Sequence, residues 1–258
     1  MAISEPHPHV ELGMYPFTSV RPAWEALWDA VHERVPWTPD RLTWSGDVHA
    51  RWYDRDCVVT HVCGGPFAAL HHTDMRLIGA FSLDLPDAEP GAHYRTVLLS
   101  PHDLALEELV GPDRHAIASS ADSLSGWSSL LAATVGPGEE WPGTVTFTSA
   151  HHESVRTLAK GEGDLASIDS WSLAFITAEE PELIAGLHRV GVGPRNPTPA
   201  LTARASIDEA MVDELRAAFR DAIASDELTS TRRALHIDGF VPLDLDEYLA
   251  LVPLVRAD

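Results

Sequence analysis

Short apolar runs rich in β-branched residues alternate along the chain with segments whose apolar positions recur at helical spacing, which predicts an α/β fold. Val10 to Met14 reads as a first strand. Trp24, Leu27, Trp28 and Val31 then share one face of a helix starting near Pro22. Further strands are expected at Val58 to Val62, Arg76 to Phe81 and Thr96 to Leu99, with the turn-rich Asp84 to Ala92 between the last two. Ser100-Pro101-His102-Asp103 predicts a helix start, with Ser100 as cap and Pro101 at the first helical position.

The middle third repeats strand, turn and helix. His115 to Ser119 leads through Ser123-Leu124-Ser125-Gly126 to a helix over Trp127 to Thr134. Thr144 to Thr148 leads through His151-His152 to a helix over Glu153 to Ala159. Leu165 to Ile168 ends at Asp169, ahead of a helix carrying Leu173, Phe175 and Ile176. Gly191 to Pro199, rich in glycine and proline, reads as a loose crossing between lobes. Ser206-Ile207-Asp208-Glu209 predicts a capping box for a helix whose apolar stripe is Ile207, Met211, Leu215, Ala218, Phe219 and Ala222, and a last short helix spans Leu245 to Leu251.

Composition narrows the function classes. The net charge is −21, with one lysine, Lys160, against seventeen arginines; such a surface repels phosphate backbones and anionic membranes, so nucleic acid is not an expected partner. No run approaches the roughly 18 to 20 apolar residues of a membrane span. Met1 to His9 has no apolar core behind a basic flank, which places the chain as written in the cytoplasm, or outside it if a leader was removed. Cys57 and Cys63 flank a strand of about 20 Å, far beyond the roughly 7 Å between Cα atoms that a disulfide tolerates. Neither a cofactor nor a metal is expected: the P-loop, the dinucleotide fingerprint, the nucleophile elbow and metal-ligand spacings are all missing from the sequence.

The candidate chemistry lies where strands run into helices. In Asp122-Ser123-Leu124-Ser125-Gly126, serine hydroxyls and backbone N–H groups at a helix start suit an anion, and Gly126 would let it approach the backbone. Ordinary capping by Asp122 or Ser123 accounts for the same residues, as capping or solvation does for His151 and His152.

Several segments together resemble the PhnD-like phosphate, phosphite and phosphonate substrate-binding proteins. Asp122 to Trp127 is similar to their D-x-x-S-x-S/G helix-start motif, and Ala150 to Ser154 followed by Gly163 to Asp169 to their G-x-H…S…V-x-x-G-x-A-D-V-A-A-I-D stretch. Val62 to Phe67 looks like their T-C-G-Y-P-Y turn, Tyr94 to Leu98 like their lobe-crossing strand, and Met14-Tyr15-Pro16 like a P-M-Y loop. The likeness covers about residues 10 to 205. It implies a two-lobed type II periplasmic-binding-protein fold with a mixed sheet in each lobe: lobe I from 1–97 and 191–258, lobe II from 98–190.

It also implies a small anionic ligand in an interlobe cleft, held by Ser123, Ser125, Gly126 and His151, with Tyr15, Cys63, Tyr94 and Asp169 toward its other end, and an ABC permease as partner. Three features depart from the family: no leader or lipobox, Leu124 within the serine motif, and an acidic Asp169 that fits a ligand amine or a structural cap. A second reading is therefore an enzyme on the same scaffold, a lyase or synthase as in menaquinone-pathway relatives, with His151 as acid or base, Asp169 orienting it and the serines as oxyanion donors.

Overall fold

The residue alternation seen in the strands is resolved by two sheets. The computed structural model describes residues 7–255, apart from the side chain of Val48, so part of the start Met1 to His9 lies outside the described residues. The strands are β1 His9–Glu11, β2 Cys57–Val62, β3 Met75–Leu83, β4 Ala88–Glu89, β5 His93–Ser100, β6 His115–Ala118, β7 Thr144–Phe147, β8 Leu165–Ile168, β9 His188–Pro197, β10 Ala200–Arg204 and β11 Ile237–Val241. The first sheet has the order β1-β2-β10-β3-β11, and the second the order β4-β5-β8-β6-β7 with β9 on β5. Each is mixed. In the first, β1 and β2 are parallel and the other pairs antiparallel. In the second, β6 is parallel to both β7 and β8, while β5 is antiparallel to β8 and β9.

Around the first sheet, the helix Arg21–His32 buries Trp24, Leu27, Trp28 and Val31 against Val10, Val59, Ile78 and Phe81, and the helix Glu209–Ala224 adds Leu215, Phe219 and Ala222 to the same core. The second sheet is covered on both faces, and side chains sort between them with the period of two that a strand imposes. Leu98, Ala116, Ala118 and Leu165 pack with Trp127 and Leu130; their neighbours Val97, Leu99, Ile117 and Ala166 pack with Val155, Leu158 and Ile176.

Two crossings join the sheets, one between β3 and β4 and one at Thr198-Pro199, and Thr198 ties them together. Its hydroxyl donates to the Phe81 carbonyl at 2.7 Å and its N–H to the Ala92 carbonyl at 2.9 Å. The boundaries expected at 97/98 and 190/191 fall inside β5 and β9, which pair from His93↔Pro197 to Ser100↔His188.

Three local readings are corrected. Gly191 to Pro199 is not loose: it is mostly β9, and its glycines serve close packing, since a Cβ on Gly193 would collide with Thr96 Oγ1. Ser100 starts no helix. It ends β5, its hydroxyl accepts from the His102 N–H at 3.0 Å, and the next helical turn is a 3₁₀ turn at Leu106–Leu109. Serine followed by proline builds such turns as readily as helix starts. Asp208, rather than Ser206, caps the helix Glu209–Ala224, accepting from the Met211 N–H at 2.9 Å. Among the described residues no helix is long and apolar enough to cross a membrane.

Candidate functional site

Because β6, β7 and β8 run parallel, their carboxyl ends lie on one edge of the second sheet and deliver three loops to the same place. These loops are Ser119 to Ser123, Thr148 to His151, and Asp169 onward. The parallel β1 and β2 present Met14 to Thr18 and Cys63 to Pro66 from the first sheet. The two sets enclose a cleft of about 380 Å³, with Trp52 and His49 completing the first lobe's wall.

The second lobe's wall is rich in hydroxyls. Ser119, Ser120, Ser123, Ser125 and Ser149 all line the cleft. Ser125 Oγ lies 2.8 Å from Nε2 of His151, and its carbonyl accepts from the Ser167 hydroxyl at 2.7 Å, which fixes it from behind. Ser123 does cap its helix, since its hydroxyl accepts from the Gly126 N–H at 2.9 Å; the lone proton of that hydroxyl remains available to a ligand. Ser120 donates to Asp122 at 2.6 Å. Ser149 has a left-handed backbone, φ 72°, immediately before the helix His151–Ala159, whose N-cap Ala150 offers no side-chain acceptor to the first-turn N–H groups. Burial holds the His151 imidazole below its ordinary pKa, against the opposing pull of the Asp169 charge, so the ring is neutral at pH 7.

Asp169, Tyr15 and Cys63 form the floor. Asp169 caps the helix Ser170–Glu179 through the Ser172 N–H at 2.7 Å and accepts from the Tyr15 hydroxyl at 3.3 Å. Burial first, and the nearby Asp169 charge second, push the Tyr15 and Tyr94 hydroxyls well above their usual range. Burial raises the Cys63 thiol to about 11, which keeps it protonated and unreactive.

Of the residues singled out in the sequence, Tyr15, Cys63, Ser123, Ser125, His151 and Asp169 meet in the cleft. Tyr94 and Gly126 do not line it. Tyr94 is buried on β5 beneath the floor, beside Ser125 and Asp169. Gly126 leaves room for Ser119 rather than for a ligand, because a Cβ there would stand 2.6 Å from Ser119 Oγ. Sequence reading passed over Ser119, Ser149, Trp52 and Phe17. Ser119 follows β6 directly and Ser149 lies two residues past β7, so both were findable by that rule; Trp52 and Phe17 reach the cleft only through tertiary folding.

The enzyme geometry fails at one point. Asp169 spends its oxygens on Ser172 and Tyr15, and the His151 Nδ1 it was expected to orient is buried without a partner. Among the described residues the lining also carries no lysine or arginine, and Asp122, Glu153, Asp169 and Glu179 share it with the imidazoles of His49, His151 and His152. Among the described residues no group of His, Cys, Asp and Glu is placed to hold a metal ion.

Two mixed-sheet lobes with strand-end loops facing a common cleft define a ligand-binding protein of the type II periplasmic-binding fold. The chain belongs to the family described as ABC transporter, phosphonate, periplasmic substrate-binding protein, whose model matches residues 61–248. Solved structures share the fold at low identity. A binding protein component of an ABC phosphonate transporter from Pseudomonas aeruginosa has a TM-score of 0.70 at 14% identity, over 96% of this chain and 84% of that one. PhnD1 from Prochlorococcus marinus, in complex with methylphosphonate, has a TM-score of 0.72 at 10% identity, over 97% of both chains. A Xanthomonas citri protein bound to chloride ion has 0.67 at 15%, over 94% and 95%. No curated protein matches the chain.

Proposed function

We propose that this chain is the extracytoplasmic solute receptor of an ABC importer, closing over a small phosphonate- or phosphate-like anion and presenting it to a permease. The observation that carries the reading is the convergence of Ser119, Ser123, Ser125, Ser149 and His151 on one interlobe cleft. A hydroxyl-rich wall at two helix starts offers hydrogen bonds and favourable backbone dipoles to an oxyanion without any cationic side chain. That matters in a chain of net charge −21, where the long-range field opposes an anion and recognition falls to local donors. Met14, Phe17, Trp52 and Pro66 on the facing wall suit an organic substituent, and the complex of the similar PhnD1 with methylphosphonate agrees with such a ligand. The segment 98–190 moves as one body against 1–97 and 191–258, bending within β5 and β9, and differential contacts in the closed form drive the movement.

A thermal-shift screen of phosphate, phosphonates, sulfonates and carboxylates tests the reading. A ligand at 100 times its Kd adds about 2.7 kcal/mol of stability. Mass spectrometry of the bound compound after incubation should return it unchanged. Turnover of the compound, or stabilisation by none of these anions, overturns the proposal.

A further inference from the structure

Behind Trp52 lies a second cavity, of about 390 Å³, lined by Trp52, Tyr53, Arg55, His71, Asp74 and Arg204 among others. Trp52 is shared with the ligand cleft, and its indole N–H, donating to the His61 carbonyl at 2.9 Å, fixes it as the partition.

Arg204 is 7% exposed, yet all its bonds go to neutral carbonyls. Nε donates to Cys57 at 3.1 Å, and Nη2 to Arg51 at 3.0 Å, to Trp52 at 2.7 Å and to Asp54. Nη1 is left without a bond, and among the described residues no carboxylate stands within ion-pair range of this guanidinium. A charge so far removed from water is normally paired. Here it is unpaired in a chain with 39 acidic residues against 18 basic ones. Arg55 is exposed on the same cavity and, among the described residues, makes no ion pair. His71, 2% exposed, also lines the cavity, its ring packed edge-on against Trp52 and Tyr53 and its Nε2 buried and unpartnered. The carboxylates of Asp54 and Asp74 act on Arg204, and that of Asp74 on His71, from beyond bonding distance.

We propose that this cavity is a second oxyanion site, distinct from the ligand cleft, in which Arg204 Nη1 and Arg55 together hold a sulfate- or phosphate-sized anion beside His71. Arginine forks match tetrahedral oxyanions geometrically, and the bound charge neutralises Arg204. Because Trp52 is the shared wall, an occupant also braces one side of the cleft. The site stands whether or not the cleft takes a phosphonate.

Two measurements on the full chain test it. Crystals soaked in selenate should show an anomalous selenium peak within hydrogen-bonding distance of Arg204 Nη1 and Arg55. In solution, sulfate titration should give a saturable phase that Arg55→Glu weakens at least tenfold and Arg55→Lys largely keeps. Arg55 is exposed and outside the cleft, so this loss reports neither misfolding nor the first site. A selenium peak in the cleft alone, sulfate affinity unchanged by Arg55→Glu, or a neighbouring copy's carboxylate filling the cavity while sulfate fails to bind would each overturn the proposal.

Discussion

Ser125 Oγ and His151 Nε2 stand 2.8 Å apart and join the starts of two helices that leave neighbouring parallel strands, β6 and β7. The Ser125 backbone is fixed separately, through its carbonyl and the Ser167 hydroxyl. The pair instead presets the hydroxyl and the imidazole as one polar edge of the cleft.

Ser125→Ala should therefore cost ligand affinity and little else. Loss of a hydrogen bond to a charged partner is worth about 1.5–3 kcal/mol, a Kd increase of roughly 10- to 100-fold. The unliganded protein should lose about 1 kcal/mol, the typical worth of the hydrogen bond that the buried serine makes to His151. Calorimetric titration and thermal melting of the two proteins separate these effects. A large fall in the unliganded melting point would mark the serine as structural.

Gly126→Ala should damage both stability and binding. The new Cβ would stand 2.6 Å from Ser119 Oγ, 3.0 Å from Ser123 Oγ and 3.2 Å from the Ser119 backbone nitrogen. Both serines line the cleft, so relief of the clash must displace its wall. Overpacking of this kind costs about 1–3 kcal/mol. Urea unfolding should show that loss and titration a weakened ligand; an unchanged affinity would mean that the wall relaxes without moving its hydroxyls.

How much of this was legible before folding divides along physical lines. The buried strands β2, β5 and β8 are legible because a strand covered on both faces needs continuous apolar or β-branched side chains. The helix face of Trp24, Leu27, Trp28 and Val31 is legible by its spacing alone. β9 was not, because Gly191, Gly193 and Pro194 carry turn chemistry; what the two glycines serve is close approach to Leu98, Leu106, Thr96 and Ser129, which only the folded partner reveals. In the cleft, residues adjacent to strand ends could be named. The distinction between Ser125, which faces the ligand space, and Gly126, which faces Ser119, depends on helix rotation that a motif does not encode.

Acid should destabilise the first lobe through His61. Its ring is 1% exposed among Tyr15, Trp24, Phe81 and Trp171, and burial lowers its pKa from 6.5 to about 3. The folded state thus prefers the neutral ring. Its full contribution is present above pH 6.5, falls by about 1.4 kcal/mol per pH unit as pH drops toward 3, and is flat below that. His151, His71 and His236, lowered by burial, act with the same sign. Urea midpoints from pH 7.5 to 4.5 should fall less steeply for His61→Leu than for the parent. Equal slopes would show that His61 does not carry the linkage.

Glu179 spans the mouth of the cleft. It ends the helix Ser170–Glu179 on the second lobe and accepts from both the backbone N–H, at 2.9 Å, and the hydroxyl of Ser19 on the first. All these groups are exposed, so in an open form water replaces the contact at little cost and global stability should hardly depend on it. A closed form that makes the contact is favoured over an open form that lacks it, and ligand affinity rises with the closed population. Glu179→Ala should therefore raise Kd about two- to fivefold, mainly through faster release, while leaving the unliganded melting point nearly unchanged. Stopped-flow release kinetics check the direction: an unaltered off-rate would show that this clasp exists without holding the lobes.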